Sequence, residues 1–382
     1  LSRGVNNLEP GVGYMFAFRN FSGAIDLSGQ TVALTDNAFP ITINPGFTLI
    51  SNPYLVDIDW AEVVQYNINE GTISEGAVKT ELVKWKHSQN EFTSETGLQS
   101  FEGAFVEATG ITNSVTIQIP ITVTARLDAG ARKDSFGQDL SSNAWFIPLT
   151  LKSKSKSYKL GGIGMHPDAR ITGDRFDALT PPRFIEYLDM SFPARGNLKL
   201  PFTKDIVPIQ NSFVWDFEVA VSDGSSVTLT WDNTRFGNSD YQLVLLDVES
   251  LLTTDLRTTS SYQFTANRSR KFQLFYGTSQ DIEEAMQPNQ FLVGAPYPNP
   301  TSSSLAIPVS VPETRGNSEV RLKVFNAMGR QVANQTNLFS AGYHNLQWNG
   351  TDTEGKSVPP GLYIFQVQQG LERTFSGKFI VR

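Results

Sequence analysis

Cysteine is absent, histidine occurs three times, and no apolar run approaches the ~18 residues of a membrane-spanning helix. The missing cysteine excludes disulfide staples, thiolate metal centres and thiol redox chemistry. It leaves the compartment open. Positive charge is in deficit, with 31 Lys and Arg against 38 Asp and Glu and a net charge of −7. No basic stripe is therefore available for nucleic acid or for an anionic membrane. The opening "LSRGVNNLEPG" lacks the basic and apolar regions of a signal peptide, and Leu1 is not an initiator methionine. A fragment or processed product of a longer protein is expected. The histidines His87, His166 and His344 lie far apart, and HExxH, GxSxG and P-loop patterns are missing. The expectation is a protein that is not an enzyme and needs no cofactor.

Present instead are 26 Phe, 30 Gly and 20 Pro in a chain only 18% charged, a β-rich and turn-rich profile. Runs such as "FTLIS", "SVTIQIPITVTARL", "AWFIPLTL", "FVWDFEVAV", "SVTLTW", "RLKVFNAM" and "LYIFQVQQ" recur between turn residues, and most alternate apolar with polar positions. The fold class expected is all-β, with tandem β-sandwich domains, the last immunoglobulin-like. Two short helices are expected, in "DWAEVVQYN" (Asp59 to Asn67) and "SQDIEEAMQ" (Ser279 to Gln287), each opened by an Asp or Ser cap.

At 382 residues several domains are expected. Residues 1–138 form a β-rich domain with a repeated hairpin: "LEPGVGYMFAF" (Leu8 to Phe18) and "LQSFEGAFVEA" (Leu98 to Ala108) both place Gly five residues after Leu. The chain would then begin partway through one unit. Its strand Tyr14 to Phe18 would seek a partner in an upstream part of its own precursor or a neighbouring subunit. Between the copies, "PGFTLISNPYLVDIDW" (Pro45 to Trp60) resembles a "GWNLIGNPYPSPIDW" pattern of large exported proteins of Bacteroidota. Asn52 and Pro53 should turn the chain there and Trp60 should cap the hydrophobic layer. Residues 139–292 read as a β-sandwich. It resembles a module of the same proteins in which a "DGFD...PP" loop stands where this chain has "GDRFDALTPP" (Gly173 to Pro182).

Residues 293–382 carry six motifs in order: Tyr297, Pro298, Asn299 and Pro300; Gly329 to Val332; Gly342 to Trp348; Asp352 with Gly355; Gly361 to Phe365, including Tyr363; and Lys378 to Val381. Together they resemble the type A C-terminal sorting domain of the type IX secretion system, closely related to the immunoglobulin-like domain of the flagellar hook-capping protein. Thr301 departs from the family, which often has Phe there. The resemblance implies a secreted or cell-surface protein with a stalk, adhesive or assembly role. Its partners would be the outer-membrane secretion machinery and surface lipopolysaccharide or glycans. The alternative is a set of accessory or carbohydrate-binding modules trailing a hydrolase. Pro298 and Pro300 should mark a domain border, with a protease-sensitive linker ahead of Tyr297. Gly361→Val is expected to damage the domain more than Gly350→Ala, because Gly361 leads directly into a strand.

Candidate chemistry elsewhere is sparse. Asp168, Asp174 and Asp177 could offer calcium three carboxylates, but their spacing matches no EF-hand, so a solvated loop that leaves calcium unbound is expected. "GGIG" (Gly161 to Gly164) precedes "MHPDAR" rather than a helix and reads as a β-turn. Trp231 or Tyr241 could stack on sugars, although Trp231 closes a strand and should be core. His344 should be a surface or half-buried strand residue.

Overall fold

The structure, a computed structural model, describes residues 9–14, 38–86, 89–100, 102–120, 140, 144–154, 156–183, 186–195, 200–236, 239–266, 268–313, 316–370 and 373–382. It is all-β with two short helices. The chain forms two compact units. One comprises residues 1–210, 219–237 and 261–268, the other residues 211–218, 238–260 and 269–382. Among the described residues no helix is long and apolar enough to cross a membrane.

In the first unit, a four-stranded antiparallel sheet runs in the order Gly46–Ser51, Gly103–Ala108, Leu82–Lys86, Glu91–Glu95. Strands Ala38–Ile43 and Val115–Pro120 pair beside it, Ile41 opposite Ile117. The helix Trp60–Asn69 starts where expected, its first N–H groups capped by the Asp59 carboxylate, which accepts from Ala61 N. Trp60 lies inside the core with Ile43, Ile58 and Val63 rather than capping it, and its Nε1 donates to the Lys79 carbonyl at 3.0 Å. Asn52 turns the chain as anticipated. Its Oδ1 accepts from Tyr54 N, and its Nδ2 donates to Val56 O and Leu98 O.

The two hairpin copies share one partner strand. Gly103 pairs with Ser51 on one edge of Gly46–Ser51, while Val12 bridges Ile50 and Gly13 N donates to Leu49 O from the other edge. Residues 15–18 of the predicted Tyr14–Phe18 strand lie outside the described residues.

The unit continues as a six-stranded sheet ordered Ala178–Leu179, Phe202–Val207, Ser157–Met165, Trp145–Lys152, Ser226–Thr230, Ser261–Thr265. Here the β-turn expected at Gly161 to Gly164 is corrected, because all four residues lie inside the strand Ser157–Met165. The glycines serve close packing. A Cβ on Gly161 would stand 2.7 Å from Leu149 O and one on Gly164 2.3 Å from Trp145 O, so side chains would push the neighbouring strand away.

The second unit contains strands Ser269–Gly277, Gln242–Asp247 and Leu252–Asp255 of one sheet, then the helix Ser279–Ala285. Its cap is Thr278 rather than Ser279, in a reciprocal box with Asp281. A sandwich follows. Leu292–Val293, Leu305–Val311 and Gly342–Trp348 make one sheet, and Gln331–Phe339, Ser318–Asn326, Gly361–Gln369 and Arg373–Val381 the other. Phe291, 3% exposed, belongs to its core, and Leu292 N and Gln290 O are both held by the Ser310 hydroxyl. The domain therefore starts ahead of residue 293. The segment before Tyr297 is also not a linker, since Gly294 N donates to Pro308 O and Tyr297 exchanges two hydrogen bonds with Ala306.

Candidate functional site

Most motif residues of the C-terminal sandwich, distant in sequence, converge on one of its ends. Strand register sets the convergence: Leu305 faces Trp348, Asn326 faces Tyr363 and Gly361 faces Val381. The "YPNPT" segment is stitched to the last strand. Asn299 Oδ1 accepts from Ile380 N, Thr301 N donates to Ile380 O and Arg382 N donates to Thr301 O. Thr301 is 3% exposed, its hydroxyl donating to Ser304 O and accepting from Ser303 N. A Phe could not make that turn, so the departure from the family pattern is a joint rather than a weakness.

Beneath this joint the aromatic core is continuous. Trp348 packs 5.3 Å from Phe379 and 6.0 Å from Tyr363, and its Nε1 donates to Thr351 O. The Tyr363 hydroxyl reaches back to Pro359 O at 2.7 Å. Burial pushes its pKa up, which keeps it a donor. Gly329 takes φ +79 in a turn closed by Asn326, whose Oδ1 accepts from Met328 N and Arg330 N. Asp352 closes the longer turn similarly, accepting from Glu354 N and Lys356 N. Between these turns lies a cleft of about 410 Å³ walled by Met328, Pro359, Pro360 and Leu362. Met328 is 88% exposed, and Leu362 and Ile380 pair beside it on the outer face. Pro298 and Pro300 are held in the same stitched segment. Lys378 is exposed opposite Ile364 near this end. Gly342 lies at the opposite end, facing Val311.

Gly350, absent from the predicted motif, is part of this construction. It takes φ +75, and a Cβ there would stand 2.1 Å from Ser303 O. Gly361 has open space and a nearly extended φ of +159, with Tyr363 4.0 Å away as the nearest contact. The expected order of damage is therefore reversed. A proline-proline-glycine string signals a turn, whereas nothing local in "WNGTD" shows that Ser303 will approach.

The acidic loop differs from a solvated one. Asp177 is 1% exposed, its Oδ1 accepting from Ile206 N and Oδ2 from Asp174 N. Both Asp174 oxygens accept from the backbone, at Phe176 N and Arg170 N. Asp168 stands apart, its side chain 73% exposed and 4.0 Å from His166. Burial pushes Asp177 up to about 7 and Asp205 up to about 6, the latter despite the Arg195 guanidinium beside it. Among the described residues no three potential ligand side chains group around a metal position. These carboxylates close loops, as capping residues do.

Trp231 is buried, as expected of a residue that closes its strand, and offers no sugar platform. Tyr241 is half-buried and stacks on Tyr276 at 5.0 Å. His344 is half-buried, stacked 4.4 Å from Phe339 and bonded to Ser340 O. His87 lies outside the described residues. Sequence reasoning passed over the buried Glu107, which accepts from Leu179 N at 2.8 Å and whose pKa burial raises. It also passed over Lys79, whose Nζ donates to the carbonyls of Arg175 and Asp177. Both sit in strings that look like ordinary surface.

A family model described as the FlgD Ig-like domain matches residues 302–372. The end of the chain is thus similar to a known immunoglobulin-like family over the segment that carries most of the motifs. No curated protein matches the chain. Among solved structures, PorZ of Porphyromonas gingivalis, described as an essential bacterial surface component of the type-IX secretion system, is similar at 17% identity and a TM-score of 0.17, over 28% of this chain and 14% of PorZ. Dimeric latent PorU from the same organism is similar at 12% identity and 0.24, over 62% of this chain and 30% of PorU. A tetra-tandem repeat from the extending region of a large adhesion protein is similar at 9% identity and 0.20, over 81% of this chain and 93% of that one. The chain spans well under half the length of the first two, and what those proteins do stays with them.

Proposed function

We propose that the C-terminal sandwich is a type A sorting domain of the type IX secretion system. On this reading the chain is the non-catalytic C-terminal region of a secreted or cell-surface protein, in a stalk, adhesive or assembly role. The observation that carries the reading is the convergence of the motif residues Tyr297 to Thr301, Gly329, Trp348, Tyr363 and Val381 on one end of a single domain. A signal dispersed through the sequence can be read only as a folded surface, and here the fold brings it together. The FlgD-type match over residues 302–372 supports the same reading. Secretion machinery would then meet Met328 and Leu362 around the cleft, and lipopolysaccharide attachment or release would follow export.

Deleting residues 290–382 from the full-length precursor in its native host should trap the protein in the periplasm with its upstream domains folded. Met328→Lys should lower surface delivery while leaving the melting temperature unchanged, since the side chain is exposed. Normal surface delivery of the deletion variant would reduce this domain to a spacer.

A further inference from the structure

We propose that a cleft in the first unit, between the loops around Thr109 and Arg170, binds an acidic oligosaccharide. The cleft has a volume of about 690 Å³, within the range of about 300–1,000 Å³ typical of ligand sites. Its described lining holds two arginines, Arg170 and Arg195, and no carboxylate. That is notable in a chain of net charge −7. Arg195 is committed to Asp205, 2.8 Å away. Arg170 is exposed, and among the described residues no carboxylate comes within ion-pairing distance of its guanidinium. It stands where the cleft adjoins a second one of about 400 Å³, whose lining includes Glu75, Asp168 and Asp174. The acidic side chains thus line the smaller cleft, and the described lining of the larger one offers cationic but no anionic side chains.

The rest of the lining narrows the chemistry. Thr109 and Thr112 from one loop and Thr172 from another offer hydroxyls, while Ile111 and Leu200 add apolar surface. The loop backbone is already occupied: Gly110 N donates to Ala77 O, Gly173 N to Arg170 O, and Arg170 N to Asp174 Oδ2. A peptide adding itself as a strand would find few free partners there. A uronic-acid sugar fits better. Its carboxylate would take the planar guanidinium fork, its hydroxyls the threonines and its C–H face the aliphatic side chains.

The test is calorimetric titration of the whole chain with tetragalacturonate, its fully methyl-esterified form and a tetraglutamate peptide. Saturable binding of tetragalacturonate is expected, weakened by about tenfold or more in Arg170→Ala, because a charge-assisted bidentate pair is lost. Arg170→Lys should recover part of it, and Lys356→Ala, on the C-terminal sandwich, should change nothing. An unchanged melting temperature of Arg170→Ala shows that the fold is intact. The proposal is overturned by no saturable binding, by equal binding of the methyl ester, or by undiminished affinity in Arg170→Ala. Tetraglutamate binding as tightly as the sugar would assign the cleft to acidic peptides instead.

Discussion

A Cβ at Gly350 would stand 2.1 Å from the Ser303 carbonyl oxygen, on a backbone at φ +75. Gly350→Ala should therefore destabilise the C-terminal sandwich by about 2–4 kcal/mol, combining left-handed strain with a backbone clash. Gly361→Val should cost less than Gly350→Ala, because it carries backbone strain at φ +159 but no neighbouring atom lies closer than 4.0 Å. Thermal denaturation of the two variants compares them directly, and equal losses would refute the packing argument. Thr301→Val keeps the side-chain shape but strands Ser303 N and Ser304 O. A loss of about 1–3 kcal/mol is expected in the same measurement. In the acidic loop, the Asp174 and Asp177 oxygens are engaged by backbone N–H groups. Millimolar calcium should leave the melting temperature unchanged, and a rise abolished by changing both to Asn would reveal a site.

At the scale of elements, the domain border lies before Phe291 rather than at residue 293 or in the segment ahead of Tyr297. Phe291 is in the sandwich core, Leu292 and Val293 pair with Ser310 and Val309, and Gly294 bonds Pro308. Limited proteolysis should cut first between Gln287 and Gln290, a stretch with mostly exposed side chains outside any strand or helix. Cleavage first between Gly294 and Pro296 would restore the linker reading. A domain beginning at Gln290 should melt higher than one beginning at Ala295, which lacks the Phe291 anchor. The helix Trp60–Asn69 depends on its Asp59 cap, and Asp59→Ala should lower stability by about 1 kcal/mol.

Across the first unit as a whole, buried carboxyl groups set an unusual pH response. Asp177 binds its proton more tightly folded than unfolded, with its pKa moved by burial from 3.8 to about 7. Its stabilising contribution is complete below about pH 4 and is lost as the pH rises through about 7, to the extent of about 4 kcal/mol. Asp205, pushed up to about 6, and Glu107, pushed up by burial, act in the same direction. Asp223 acts oppositely: the Lys156 hydrogen bond lowers it to about 2, so its contribution holds above about pH 4 and is lost in stronger acid. Stability of this unit should therefore peak near about pH 4–6 and decline toward pH 8. Amide exchange at Asp174 and Ile206, whose N–H groups bond Asp177, should quicken over that rise. Protection increasing with pH would contradict the assignment.

The sequence by itself determined the all-β class, the Asp59-capped helix and the Asn52 turn. Each rests on local physics: alternation of apolar residues, a cap beside its own helix, or an Asx side chain bonding its own backbone. Only the tertiary structure decided how those pieces meet. Gly161 to Gly164 has the composition of a turn but is a strand, because neighbouring strands approach too closely for side chains. Asp177 and Glu107 look like solvated surface in the sequence, yet their burial depends on strands far along the chain. Gly350 and Thr301 matter through Ser303 and the last strand, contacts that local sequence does not encode. Burial and close approach are properties of the assembled sheets, so local pattern specified the elements while packing decided which residues they would constrain.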